Sequence, residues 1–247
     1  MDSSGSPQNA AAFSPAADDV FARIAGRYDF LCDVFSVYAH RIWKNHVARR
    51  IAETPSTLVL DVASGTGDIP LRVLRRLDAT PMAKGKKLLV TDICPEMLAM
   101  AQAKLGTADP RIEYSLLDAH DLSSIESDSV DVYSISFGMK IMDRARVLSE
   151  ARRVLRPGGT FFCLEAACIP IGFIHAAYLK YMDWCLPFIA RLATGGDASA
   201  YDYLLRGVHE FPDQRAFASQ IEDHGFGGVG FENLTLGIVA LHRGVKR

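Results

Sequence analysis

Residues 58–69 read LVLDVASGTGDI: an apolar run closes on Asp61 and opens into a small-residue loop holding Gly65 and Gly67. A carboxylate at a strand's end can accept hydrogen bonds from an ammonium, while glycines let the main chain lie close under a ligand. Two commoner uses of such a loop are excluded by spacing. A dinucleotide loop needs a third glycine at position 70, which is Pro70, and a phosphate loop needs G-K-[ST], but no lysine follows Gly67. A carboxylate is a poor neighbour for a pyrophosphate and a good one for a sulfonium that carries an ammonium. A tight strand-to-helix turn without a ligand is the plain alternative.

Two further acids extend the pattern. The run KLLVTD ends on Asp92, followed by Ile93, and an acid there can accept hydrogen bonds from both hydroxyls of a ribose. The run LLDAH sets Asp118 and Ala119 after a third apolar segment. Asp118 can meet an adenine amino group, or it can cap a helix. All three acids fall where strands should end, which is where open α/β sheets bind ligands. Together they fit S-adenosylmethionine (SAM) better than NAD.

These residues must be positioned by the elements around them. Apolar runs at 57–62, 87–91, 112–116, 130–136 and 160–165 alternate with helical patterns at 69–77, 95–105 and 143–155. Pro95 suits a first helical turn, and Pro157-Gly158-Gly159 stops the helix before it. The alternation predicts a doubly wound, Rossmann-like α/β fold with a mostly parallel sheet. Two amphipathic patterns, 18–28 and 31–52, precede it, and a long aromatic helical insert occupies 172–206. A helix at 213–224 is followed by runs at 228–234 and 236–242, too close together for anything but an antiparallel pair at a sheet edge. The expected organisation is a Ser/Ala/Pro-rich disordered lead-in over 1–16 and one domain over 17–247, with 17–52 as a helical cap.

Composition narrows the partners. The net charge of −2 offers no basic surface for nucleic acid. Five cysteines without CxxC or a Cys/His cluster point to a reducing compartment and no metal site. The apolar stretch 163–193 is broken by Glu165, Lys180, Asp183 and Arg191, so it reads as no membrane span.

The chain resembles the class I SAM-dependent methyltransferases, and more narrowly the ubiquinone/menaquinone-biosynthesis C-methyltransferases. The likeness runs from about Val20 to the C-terminus. It rests on Val20-Phe21-Ala22-Arg23-Ile24-Ala25, Tyr28-Asp29, Ser36 and His40-Arg41-Ile42-Trp43-Lys44; on the loop 60–69; on Ile135-Ser136-Phe137-Gly138; and on Arg153-Val154-Leu155-Arg156-Pro157-Gly158-Gly159. The tail is the most specific: Tyr201, Tyr203-Leu204, Phe211-Pro212-Asp213-Gln214, Asn233-Leu234-Thr235 and Ala240-Leu241-His242-Arg243-Gly244. The resemblance implies seven strands with the last antiparallel, and SAM held by Asp61, Gly65, Gly67, Asp92, Ile93, Asp118, Ala119 and Ser136. It implies a reduced, polyprenylated quinone ring as acceptor, roofed by the amino-terminal helices and the insert. It places the protein in the cytoplasm, with room for a homodimer and for peripheral contact with a membrane.

Departures fall where the chemistry should be. The resembled family follows Phe-Gly with an apolar residue and an Arg-Asn pair, where this chain has Met139-Lys140-Ile141-Met142, one residue shorter. An Asn after Tyr-Asp is Cys32, and Leu-Glu-Phe-Ser-x-Pro is Leu164-Glu165-Ala166-Ala167-Cys168-Ile169-Pro170. Methylating carbon requires an electron-rich ring, which a hydroquinone supplies once a phenolic proton leaves. Lys140, His40 and Tyr201 are the catalytic candidates, Lys140 as cation or base at the end of the fourth strand. The plain readings are a surface lysine at a helix start and structural aromatic residues; Tyr28 and His209 are read the same way. Two rivals follow from the departures: the same fold with another aromatic acceptor, and a subunit that binds SAM or lipid without turnover.

Overall fold

The computed structural model describes residues 21–23, 25–79, 85–194 and 207–247, with the backbone alone over 185–194. The lead-in 1–16 and Tyr201 lie outside the described residues.

The apolar runs all become strands of one sheet: β1 (Leu58–Val62), β2 (Lys87–Asp92), β3 (Ile112–Leu116), β4 (Val130–Ser136), β5 (Leu155–Ala166), β6 (Phe226–Leu234) and β7 (Val239–Lys246). Their order is β3-β2-β1-β4-β5-β7-β6. Strands β1 to β5 pair in parallel, and β7 runs antiparallel between β5 and β6. The terminal pair is therefore antiparallel at an edge, as its spacing predicts, but its second strand is the inner one. The order turns between β1 and β4, so the carboxyl ends of those strands open the crevice typical of such sheets. β5 starts earlier than expected, at Leu155. Its register jumps from Val130–Leu155 to Val132–Thr160, so Arg156-Pro157-Gly158-Gly159 is absorbed as an irregularity.

The helices are α1 (Tyr28–Ser36), α2 (Ala39–Glu53), α3 (Asp68–Asp78), α4 (Pro95–Leu105), α5 (Arg144–Val154), α6 (Gly172–Thr194) and α7 (Gln214–Asp223). Local chemistry sets several ends. Pro95 opens α4, Asp143 accepts from the amides of Ala145 and Arg146, and Asp213 accepts from that of Ala216. Of the 18–28 pattern, residues 21–23 are helical and Ala25–Arg27 is a 3-10 turn.

One expectation fails. The helix read over 31–52 is two helices, parted by Val37 and Tyr38 in the left-handed region, φ 48° and 63°. That conformation costs a non-glycine residue roughly 1–2 kcal/mol. It is held by the Tyr38 N–H donating to Asp33 O at 2.8 Å. Helical periodicity continues across the corner, so the sequence pattern hides it.

Alternation along the strands sorts the core into two layers. On one face Val59, Val90, Val132, Phe162 and Leu164 pack against α2, α3 and α4 through Trp43, Val47, Ile51, Val73 and Ala101. On the other, Leu60, Tyr133, Ile135 and Phe161 meet α5 and α7 through Leu148, Ala151, Phe217 and Ile221. Asp61, next to Leu60 in β1, turns with Val59 toward the α2–α4 face.

Candidate active site

After β1 the chain turns sharply. Ala63, Gly65 and Gly67 all have positive φ, and the Ser64 N–H donates to Thr91 O at 2.9 Å. The two glycines do different work. A Cβ on Gly65 would meet nothing within 4 Å, whereas one on Gly67 would lie 2.8 Å from Leu105 Cδ1 and 3.0 Å from Ala101 Cβ. Gly65 leaves room beside the loop; Gly67 lets α3 and α4 close together.

The three acids are placed as follows. Asp61 is buried, and its Oδ2 accepts from the Ser64 hydroxyl at 2.7 Å, while Oδ1 has no partner. Burial pushes its pKa up to about 7, against the pull of the Ser64 and Ser134 hydroxyls. Asp92, at the end of β2, accepts from Gly65 N–H at 2.7 Å on Oδ2 and from Cys94 N–H at 2.9 Å on Oδ1. It ties the loop to the neighbouring strand. Asp118 caps no helix. Its Oδ1 accepts from the His120 N–H at 2.9 Å and from the His120 ring at 2.7 Å. His120 Nε2 accepts from Asp143 N–H at 3.1 Å, so the ring proton sits on Nδ1, facing Asp118.

Three small hollows link these acids along the sheet's rim. One, of about 70 Å³, is walled by Gly65, Asp92, Ile93 and Ser136. Gly65 and Ser136 also line the hollow at Asp61, and Ile93 lines the one at Asp118 and Ala119. Ser136 Oγ is buried without a partner. Two orphaned acceptors, Asp61 Oδ1 and Ser136 Oγ, beside the open space at Gly65 fit an elongated ligand carrying an ammonium and a ribose. Gly67 does not line these hollows.

Beyond Tyr28 and Phe137, which border both spaces, lies an apolar cavity of about 370 Å³. Six separate stretches of chain build it: α1–α2, the 137–140 turn after β4, Ala166 at the end of β5, α6, Val208, and the 235–239 segment. Phe137 holds φ 60°, and its ring lies 6.3 Å from that of Trp43, whose indole N–H donates to Thr235 Oγ1 at 2.7 Å. Lys44 lines both the cavity and the Asp61 hollow. It pairs with Asp68 at 2.9 Å; burial would raise that carboxyl, but the lysine more than offsets this and holds its pKa at about 2.

Lys140 and His40 both reach this cavity. Lys140 is not a surface lysine. It sits in a 3-10 turn (Met139–Ile141), its ammonium donating to Phe137 O and to Glu165 Oε1 at 3.0 Å, with a Glu165 side chain of 0% exposure. His40 donates through Nε2 to Asp33 Oδ1 at 2.8 Å. His209 is elsewhere, bonded to Asp183 at 2.8 Å on the exposed surface. Sequence reasoning missed Asp33, Lys44, Phe137 and Glu165 as site residues. Lys44 and Phe137 stand inside the quoted signatures, so only their roles were hidden. The Asp33–His40 contact depends on the unpredicted corner at Val37-Tyr38.

Among the described residues, no helix is long and apolar enough to cross a membrane, and no cluster of His, Cys, Asp or Glu could hold a metal ion.

Comparison with known proteins bears on this arrangement. Residues 10–246 match the ubiE/COQ5 methyltransferase family. The chain is 36% identical over 239 residues to the mitochondrial 2-methoxy-6-polyprenyl-1,4-benzoquinol methylase of Schizosaccharomyces pombe, covering 92% of this chain and 78% of that one. It is 39% identical to the ubiquinone/menaquinone biosynthesis C-methyltransferase UbiE of Paracoccus denitrificans, covering 92% and 89%. The fold is shared with a SAM-dependent methyltransferase of Thermotoga maritima at TM-score 0.63 and 14% identity, over 94% of this chain and 100% of that one.

Proposed function

The chain belongs to the ubiE/COQ5 methyltransferase family, and on that premise we propose that it methylates a ring carbon of a reduced, polyprenylated quinone with SAM as donor. The observation that carries this reading is the apolar cavity against the carboxylate-lined groove, the two sharing Tyr28, Phe137 and Lys44. An apolar ring and tail can lie on one side of Tyr28 and Phe137 and a charged nucleoside on the other.

SAM supplies an electrophilic methyl on a sulfonium, which departs as the neutral thioether holding the S–C electron pair. Asp61 receives its ammonium, Asp92 its ribose and Asp118 its adenine amino group, with Gly65, Ile93, Ala119 and Ser136 shaping the groove and Gly67 closing the helices behind it. Lys44 is the cation nearest the amino-acid end. Aligning donor and acceptor contributes on the order of 7–11 kcal/mol to lowering such barriers. Lys140, already neutralised by Glu165, acts as a hydrogen-bond donor to a phenolic oxygen rather than as a free base. Tyr201 is the third catalytic residue of this reading.

Residues 17–247 act as one domain, with 17–52 as cap and 172–206 as roof. The protein works in the cytoplasm in peripheral contact with a membrane. In support, apolar side chains in or next to the cavity's lining are open to solvent: Val37 is 74% exposed, Leu236 70% and Trp184 82%. A homodimer is compatible with this reading.

The test is mass spectrometry of cellular quinones in a strain lacking its own quinol methylase, with and without this chain. Appearance of the methylated quinone is expected. Intact SAM binding without that product would point to another aromatic acceptor or to a non-catalytic subunit.

A further inference from the structure

We propose that His40, oriented by Asp33, is the base that takes the phenolic proton of the acceptor; this rests on the quinol reading above. His40 lines the cavity and is 5% exposed. Its Nε2 is engaged by Asp33 at 2.8 Å. Asp33 is in turn gripped by Arg41, Nε on Oδ1 at 2.7 Å and Nη2 on Oδ2 at 2.6 Å. Those bonds hold the Asp33 carboxyl below its usual range, so it is an ionised group that only accepts. The hydrogen between the pair therefore belongs to Nε2, and Nδ1 carries the lone pair. Nδ1 is buried and has no partner. It is the ring nitrogen that Asp33 leaves unused, on a side chain that lines the cavity. A buried acceptor without a donor costs free energy, which a substrate hydroxyl would recover.

The two lysines of the cavity are already committed. Lys140 is bound by Glu165, and Lys44 by Asp68. Burial raises the pKa of the Cys32 thiol, and Cys32 followed by burial raises that of Tyr28, so both keep their protons near neutrality. Tyr178, across the cavity on α6, is pushed up to about 12 by burial. Around His40 itself, Asp33 on α1 and Asp68 on α3 favour the imidazolium, while Lys44 on α2 opposes it. Burial prevails and keeps the ring neutral, ready to accept.

The step balances without a further reagent. The phenolic proton moves to Nδ1, and the O–H electron pair stays on oxygen and delocalises to the adjacent ring carbon, raising its nucleophilicity. After the new C–C bond forms, that carbon loses its own hydrogen to water, and the imidazolium returns its proton to the oxygen.

The test uses the full chain, SAM and a chemically reduced short-chain quinol, comparing wild type with His40→Gln and Asp33→Asn. His40→Gln should lower kcat roughly 10²- to 10⁴-fold. KM for quinol and Kd for SAM should stay within about threefold. The wild-type kcat should fall on acidification as the imidazole is protonated, and this limb should vanish in His40→Gln. A ring-fluorinated quinol, whose hydroxyl is more acidic, should narrow the gap between the two. Asp33→Asn, which reverses the tautomer by donating to Nε2, should cost at least about tenfold in kcat. A variant with wild-type kcat, an acid limb that persists in His40→Gln, or an equal deficit on both quinols would overturn the role of His40 while leaving the quinol reading intact. A wild type that binds SAM yet methylates no quinol would overturn both. Should His40→Gln fail to fold, the wild-type limb and Asp33→Asn decide the matter: no acid limb, or no loss in Asp33→Asn, refutes it.

Discussion

If Asp61 receives the ammonium of SAM, as proposed above, SAM binding is a proton-linked event. The Asp61 pKa is raised to about 7 by burial, and its Oδ1 has no hydrogen-bond partner. If only the ionised form receives the ammonium of SAM, the apparent Kd scales as one plus the ratio of protonated to ionised Asp61. That factor is about 11 at pH 6 and about 1.1 at pH 8, so affinity should rise roughly tenfold between them, about 1.4 kcal/mol. At pH 7 about half a proton per SAM should leave Asp61. Calorimetry in two buffers of different ionisation enthalpy reads that release directly. The donor's own α-amino group also titrates, near a pKa of about 7.7–8.0, so the quantity that matters is the difference between wild type and Asp61→Asn. The variant should lose the Asp61 contribution and bind roughly 10- to 150-fold more weakly at pH 8, the cost of one charge-assisted bond. 5′-Methylthioadenosine, which has no ammonium, should show no linkage with either protein. The sign for folding is opposite: a carboxyl raised in the folded state stabilises below the ordinary carboxylate range and loses that contribution as pH climbs toward 7. Asp61→Asn should therefore melt higher than wild type at pH 8. Equal proton release by wild type and variant would refute the assignment of Asp61 to the ammonium.

Three further outcomes are expected. Lys140→Met strands Glu165 as a buried unpaired carboxylate and should cost about 3–5 kcal/mol in urea unfolding, most of it recovered in the Lys140→Met, Glu165→Gln double variant; additive losses would argue against the pair. His242 is nearly inaccessible, and burial lowers its pKa to about 4. Stability it supports should be complete above about pH 6.5 and fall by about 2 kcal/mol by pH 5, a slope that His242→Gln should lack in matched unfolding curves. Gly67→Ala should destabilise the fold by roughly 1–3 kcal/mol through Leu105 and Ala101, while Gly65→Ala should cost stability less and SAM affinity more; thermal melts with and without SAM separate the two.

Much of the scaffold was legible because its signals are local. Periodicity, Pro95, and the acids at 143 and 213 fix elements within a few residues of themselves, and Asp61, Asp92 and Asp118 lie at strand ends that the same periodicity marks. Parallel strands then bring those ends to one rim whatever the details of packing. The sequence alone thus determined the fold class and the gathering of the three acids along one rim. Tertiary structure decided the apolar cavity beside it. The cavity is assembled from six stretches, and Trp43 reaches Thr235 across 192 positions. Lys140 is neutralised by a residue 25 positions away on another strand. Asp33 meets His40 only because the chain breaks its helix at Val37-Tyr38, a corner whose left-handed backbone carries no residue signature. Spacing reports what lies within a turn of helix or along one strand; which side chain ends up neutralised, orphaned or facing a cavity depends on partners that only packing supplies.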